Sequence, residues 1–212
     1  ICGLIAGFVI SWKWGGIKSL MGKALFAFSL GLLFQVFGQT AYSFYIYFFH
    51  LDIPYPSIGD IGFFGSIPCY IYGAFMLAKI SGAKVSLRYF SNKLQIIFIP
   101  ILLLCLSYFL FLQEYVFDWA APLKVFLDFG YPFGQAIYVS IAILAFSLSR
   151  NILGGIMRGP ILLFIFALVF QYFSDFMFLY QAKIGAWSAG GLNDLMYATS
   201  YFLMALALMC IG

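Results

Sequence analysis

The sequence predicts an all-α integral membrane protein of seven transmembrane helices, with the N-terminus outside and the C-terminus inside. Three observations carry that expectation. First, the 212 residues are 65% hydrophobic and only 8% charged. A soluble domain runs about 45–50% apolar and about 25% charged, so too few charged groups remain here to cover a water-facing surface. Second, the apolar residues form continuous runs rather than alternating ones, which selects helices over barrel strands. Third, the basic residues cluster at alternate turns. A crossing helix needs about 20 apolar residues, so this length accommodates about seven crossings as a single transmembrane domain over 1–212. The 27 Phe and 15 Tyr suit helices packed in lipid with rings at the interface.

The first run covers about 1–11 and ends at Trp12-Lys13-Trp14. Eleven residues reach only about 16 Å, so this helix is expected to be incomplete or to have lost its start. The second run covers about 19–49. The third, about 58–80, is opened by Ser57-x-x-Asp60, the spacing of a capping box. The fourth covers about 94–112, the fifth 125–149 and the sixth 160–181. The seventh covers 191–211, with Asp194 close behind Gly190 and Gly191. Ser57, Asp60 and Asp194 are therefore expected to act as structural caps. Gly62, Gly65, Pro68 and Gly73 in the third helix, and Gly130, Pro132 and Gly134 in the fifth, allow close approach or bending.

The charges orient the bundle in a cell membrane as a multi-pass protein. Lys13, Lys18 and Lys23 flank the first turn, Lys79, Lys84, Arg88 and Lys93 the third, and Arg150 and Arg158 the fifth, nine of the eleven basic residues. The other side carries Asp52, Asp60, Glu114, Asp118, Asp128 and Asp194 with only Lys124 and Lys183. Basic short loops stay in the cytoplasm. Asp60, Asp128 and Asp194 recur at similar helix starts, 68 residues (60 to 128) and 66 residues (128 to 194) apart. That period is one helical hairpin, giving one helix plus three parallel hairpins. The general preference of helix starts for Asp accounts for the same pattern.

Asp175 is the strongest candidate for chemistry. It lies eight residues before Lys183, about 12 Å below the outer end of its helix, where a carboxylate is costly unless paired, hydrated or protonated. Gln171 shares its face. The second helix carries Gln35, Gln39 and Ser43 in register, with Thr40 alongside. The fifth carries Asp128, Tyr131, Gln135 and Tyr138. The seventh carries Asp194, Tyr197 and Tyr201, flanked by Asn193 and Ser200. Lipid cannot satisfy these groups, so the stripes should face inward. Converging, they would line an outer cavity in which Asp175, Gln171, Gln39, Asp128, Tyr131, Gln135 and Tyr197 contact a small molecule or a lipid. The alternative is inter-helix hydrogen bonding that only holds the bundle together. His50, the single histidine, sits at the outer end of the second helix and reads either as a pH-responsive group or as a plain interfacial side chain.

Several chemistries are disfavoured. Cys2, Cys69, Cys105 and Cys210 are far apart without a C-x-x-C spacing, so they are expected to be small buried residues rather than metal or redox groups. The seventh helix has no Lys for a retinal Schiff base, and one His cannot provide paired haem ligands. No H-E-x-x-H, G-x-S-x-G or P-loop motif occurs. The net charge of +4 is positional, not a nucleic-acid footprint. The expectation is a protein that is not an enzyme, with no cofactor, no metal and no nucleic-acid partner.

The stretch Ile53-Pro54-Tyr55-Pro56-Ser57-Ile58-Gly59-Asp60, continuing to Pro68, resembles the P-Y-P-S-x-x-D-x-x-Y-x-x-x-Y-P segment of multi-helix prokaryotic membrane modules. Those modules precede diguanylate cyclase or histidine kinase domains and are regarded as sensory. Pro56, Ser57, Asp60 and Pro68 fall in step; Phe63 and Ile67 stand for the two Tyr. The resemblance implies a sensor-type module. Because this chain ends at Gly212, its output is expected to pass through a protein partner in the membrane or at the inner face. Two other readings remain open: an accessory subunit of a larger membrane complex, and a small transporter, although the inner half offers few polar residues for a path.

Overall fold

A computed structural model describes residues 1–51, 53–81, 90–109, 113, 115–149, 158–188 and 190–212, without the side chains of 90–93, 96, 148–149 and 182–183. The described residues are helical and contain no strand. Seven α-helices follow in order: α1 Cys2–Lys13, α2 Leu20–Ser43, α3 Ile58–Ile80, α4 Phe90–Ser107, α5 Pro122–Ser149, α6 Arg158–Lys183 and α7 Leu192–Met209. Five of them, α2, α3, α5, α6 and α7, are long and apolar enough to cross a membrane, while α1 and the 97–107 part of α4 are shorter apolar helices.

The local signals explain the boundaries. Gly15 and Gly16 take positive φ, and a 3-10 turn over Gly16–Lys18 carries the chain from α1 into α2. The Ser19 hydroxyl then caps α2 by accepting from the Gly22 nitrogen at 2.9 Å. α2 runs on into a π-helical turn over Phe44–Phe48. α5 begins at Pro122, three residues earlier than its apolar run suggests, with proline in the first-turn position that lacks a donor anyway. The expected end of the fourth helix at 110–112 lies outside the described residues.

α1, α2, α3, α5, α6 and α7 pack side by side into a closed ring, with α7 returning to α1, and α4 lies outside the ring along α5. The expected hairpin pairs, α2 with α3, α4 with α5 and α6 with α7, all pack together, but they are not equivalent, because α4 packs outside the ring and none of its described side chains lines the interior. It exposes Leu94, Ile97, Phe98, Ile101 and Leu102, and an apolar surface of that kind has no need of protein cover in lipid. The α2–α3 seam depends on glycine. A Cβ on Gly62 would sit 2.5 Å from the Phe34 carbonyl oxygen and 2.6 Å from the Gly38 nitrogen, so only hydrogen permits this backbone approach.

The two ends of the ring differ. At one end the interior is filled by Phe28 stacked on Phe164, ring centres 4.6 Å apart, with Leu25, Leu77, Ala142, Ile161, Leu168 and Leu208 fully buried around them. The buried serines there satisfy helix carbonyls: Ser29 donates to Leu25 and Ser81 to Leu77, each at 2.8 Å. This is also the end of Lys13, Lys18 and Lys23 around the first turn, of Lys79 at the close of α3 and of Arg158 at the start of α6. Lys84, Arg88, Arg150, Asp52 and Glu114 lie outside the described residues, as do the side chains of Lys93 and Lys183.

The cysteine expectation needs correcting. Cys2, Cys105 and Cys210 are exposed, Cys69 is partly so, and all four are free. Inside and outside of a membrane bundle are equally apolar, so a small sulfur side chain has no strong preference for the core. Among the described residues no group of His, Cys, Asp or Glu is arranged to hold a metal ion.

Candidate functional site

The other end of the ring is hollow. The loops that join α2 to α3, α4 to α5 and α6 to α7 meet there around a cavity of about 500 Å³, lined by all the ring helices except α1. Its wall follows from helix periodicity. Gln35 and Gln39 of α2, Asp128, Tyr131, Gln135 and Tyr138 of α5, Gln171 and Asp175 of α6, and Asp194 and Tyr197 of α7 all line it. Each set repeats every three or four residues, so it occupies one helix face. All seven expected ligand contacts, Asp175, Gln171, Gln39, Asp128, Tyr131, Gln135 and Tyr197, therefore stand on one cavity.

Carboxylates and tyrosine hydroxyls are paired around it. Asp60 bridges two roles. Its Oδ2 accepts from the Ser57 nitrogen at 2.7 Å and the Ser57 hydroxyl at 3.0 Å, the expected cap. Its Oδ1 accepts from the Tyr131 hydroxyl at 2.8 Å, which ties α3 to α5. Asp128 accepts from Tyr55 through Oδ1 and from Tyr115 through Oδ2, both at 2.7 Å. Two loops are thereby latched onto α5. Burial and the Asp128 carboxylate push the Tyr55 hydroxyl above its ordinary range and that of Tyr115 up to about 12. Asp175 accepts from Gln171 Nε2 at 3.0 Å and from the Tyr138 hydroxyl at 3.1 Å. Asp194 accepts from the Gly190 nitrogen at the start of α7, as expected of a cap, and also faces the cavity.

The amides form a second layer. Gln171 Oε1 accepts from Ser200 at 2.6 Å. Gln35 donates to the Ser66 hydroxyl at 2.8 Å and accepts from Tyr201 at 2.9 Å. Gln39 reaches the same Tyr201 oxygen at 3.4 Å. Tyr201 and Ser200 thus act behind the wall rather than on it. Three groups stand apart. Gln135 is 5% exposed, lines the cavity and has no hydrogen-bond partner among the described residues. Asn193 donates to the Ser174 carbonyl at 2.9 Å, yet its Oδ1 is buried without a donor, and the Trp187 indole nitrogen is likewise unpartnered. An unmet polar group in a buried place carries a real cost.

Some expected residues do not arrive. Ser43 and Thr40 are exposed and donate to their own helix, Ser43 to Gln39 at 2.9 Å and Thr40 to Val36 at 2.7 Å. Short hydroxyls satisfied this way have no need to face inward. His50 is exposed with a left-handed backbone, φ 51°, and takes no part in the cavity. Conversely, Tyr42, Tyr55, Tyr70 and Trp187 line it and Tyr115 latches to it, although none stands out in the polar stripes. Tyr55 alone carries a usable signal, since it occupies the P-Y-P segment next to the Ser57–Asp60 cap. The floor is aromatic: Tyr70 and Tyr138 meet edge to face at 5.9 Å, directly above Phe28, whose ring centre is 6.4 Å from that of Tyr70.

No family model, curated protein or solved structure matches the chain.

Proposed function

We propose that this chain is a non-enzymatic, sensor- or receptor-like membrane module that binds a small molecule or lipid in the cavity and signals through a partner protein. The reading rests chiefly on one observation: the Gln135 side chain, 5% exposed, lines a space of about 500 Å³ and has no hydrogen-bond partner among the described residues. Groups that served only to hold helices together would have found each other. The P-Y-P-S-x-x-D segment, which resembles sensory modules, supplies Tyr55 and Asp60 to the cavity wall.

In this reading seven helices span the membrane, α1 and α4 with help from adjoining residues, and the positive-inside rule turns the cavity outward. An occupant would favour one packing of α3, α5 and α6, and the change would be read at the basic loops. The filled end of the ring speaks against a transporter, because Phe28, Phe164, Leu25 and Leu168 leave no polar route through it. The accessory-subunit reading leaves the unpartnered amides without a purpose.

The test is a thermal-unfolding screen of the detergent-purified chain against sets of small polar compounds and lipids. A stabilising compound is expected, and Asp175→Ala is expected to abolish its effect. An effect that survives Asp175→Ala would remove the cavity as its site.

A further inference from the structure

We infer that the occupant of this cavity is an organic cation, a protonated amine carried on an aromatic or aliphatic body. The inference rests on the binding reading above and narrows it to one chemical class.

The charge argument comes first. Asp60, Asp128, Asp175 and Asp194 all line the cavity, and no Lys, Arg or His does so among the described residues. Their partners are hydroxyls, amides and backbone nitrogens. Such donors hold a carboxylate in place but bring no positive charge to offset it. An enclosed, mostly apolar space with several carboxylates around it attracts a cation and repels an anion.

The wall supplies a second argument. Tyr42, Tyr70, Tyr131, Phe178, Trp187 and Tyr197 surround the same volume. Ring faces carry partial negative charge and hold ammonium groups within about 6 Å. Aromatic walls with acidic corners are thus doubly suited to an ammonium group and doubly unsuited to a carboxylate.

The Gln135 side chain is a third and independent observation. It is 5% exposed, lines the cavity and has no hydrogen-bond partner among the described residues. Its carbonyl is free to accept from a primary or secondary ammonium. Its NH₂ is free to donate, which suits a hydroxyl or ether oxygen on the body of the molecule. A volume of about 500 Å³ is in the range of small organic ligands and much larger than a bare metal ion requires.

The test uses matched probes on two skeletons, in a neutral detergent and an amine-free sodium phosphate buffer. Phenethylamine, phenethyl alcohol and hydrocinnamate form one set; tryptamine, tryptophol and indolepropionate form the other. The amine of at least one set is expected to raise Tm by about 3 °C or more at saturating concentration, with its alcohol and acid partners inactive. Asp128→Asn and Asp175→Asn should each weaken the amine about tenfold or more, while their own Tm without ligand reports that they fold. If the alcohol or the acid stabilises as well as the amine, and Gln135→Trp blocks that binding, the cation falls and the binding module stands. If none of the six compounds shifts Tm, the cation falls, and the binding module stands or falls by the wider screen of polar compounds and lipids.

Discussion

Tyr131 on α5 donates its hydroxyl to Oδ1 of Asp60, 2.8 Å away, while Oδ2 of the same carboxylate caps α3. One side chain thus sets both where α3 begins and how far α5 stands from it. The two oxygens make separable demands on stability. Tyr131→Phe removes one inter-helix hydrogen bond and should cost about 1 kcal/mol. Asp60→Ala removes that bond and the cap as well and should cost about 2–3 kcal/mol. Thermal unfolding of both variants checks the order, and equal losses would mean that the cap contributes nothing.

The α2–α3 seam gives a steric prediction. Gly62→Ala forces a methyl group into the backbone of α2 at Phe34 and Gly38, and should destabilise by about 1–3 kcal/mol. Gly159→Ala is the control. A Cβ there meets nothing within 4 Å, and the exchange at a helical position should be neutral or stabilising by about 0.5–1 kcal/mol. Similar melting temperatures for the two variants would contradict the close approach.

The α4–α5 loop should respond to alkali. Tyr115 is pushed up to about 12 by burial and Asp128, above the ordinary value of about 10. The folded protein therefore holds the phenol protonated more strongly than the unfolded chain does. The stabilisation from the Tyr115 latch is fully present below pH 10 and is lost as pH rises from about 10 to 12. Phenolate absorbance, taken as the difference between wild type and Tyr115→Phe, should show a midpoint well above 10. An ordinary midpoint would mean that Tyr115 and Asp128 are not joined.

Orientation is tested by thiol labelling in a background without the four native cysteines. Trp119→Cys, near the cavity mouth, should react with an impermeant maleimide in intact cells. Lys18→Cys, in the turn between α1 and α2, should react only after the membrane is opened. The reverse pattern would turn the cavity inward.

Much of this was legible in the sequence, for definite physical reasons. The apolar runs mark the helices because lipid demands them. The polar stripes containing Gln39, Asp128, Gln135 and Asp175 point inward because hydrocarbon cannot solvate amides and carboxylates. Other features had no such signal. Tyr42 and Tyr70 are two rings among 42 Phe and Tyr (27 plus 15), and nothing local separates a wall from a packing ring. Tyr55, Tyr115 and Trp187 reach the cavity from loops, so their positions depend on how distant segments meet. The place of α4 outside the ring was hidden as well, because chain order does not fix angular order. Cys2 and Cys210 were misplaced because hydropathy cannot tell lipid from core.

The stacked Phe28 and Phe164 make the hollow a cup rather than a pipe. On the proposed binding reading, whatever fills a cup leaves by the brim it came through, and its occupancy would gauge the concentration on that side alone.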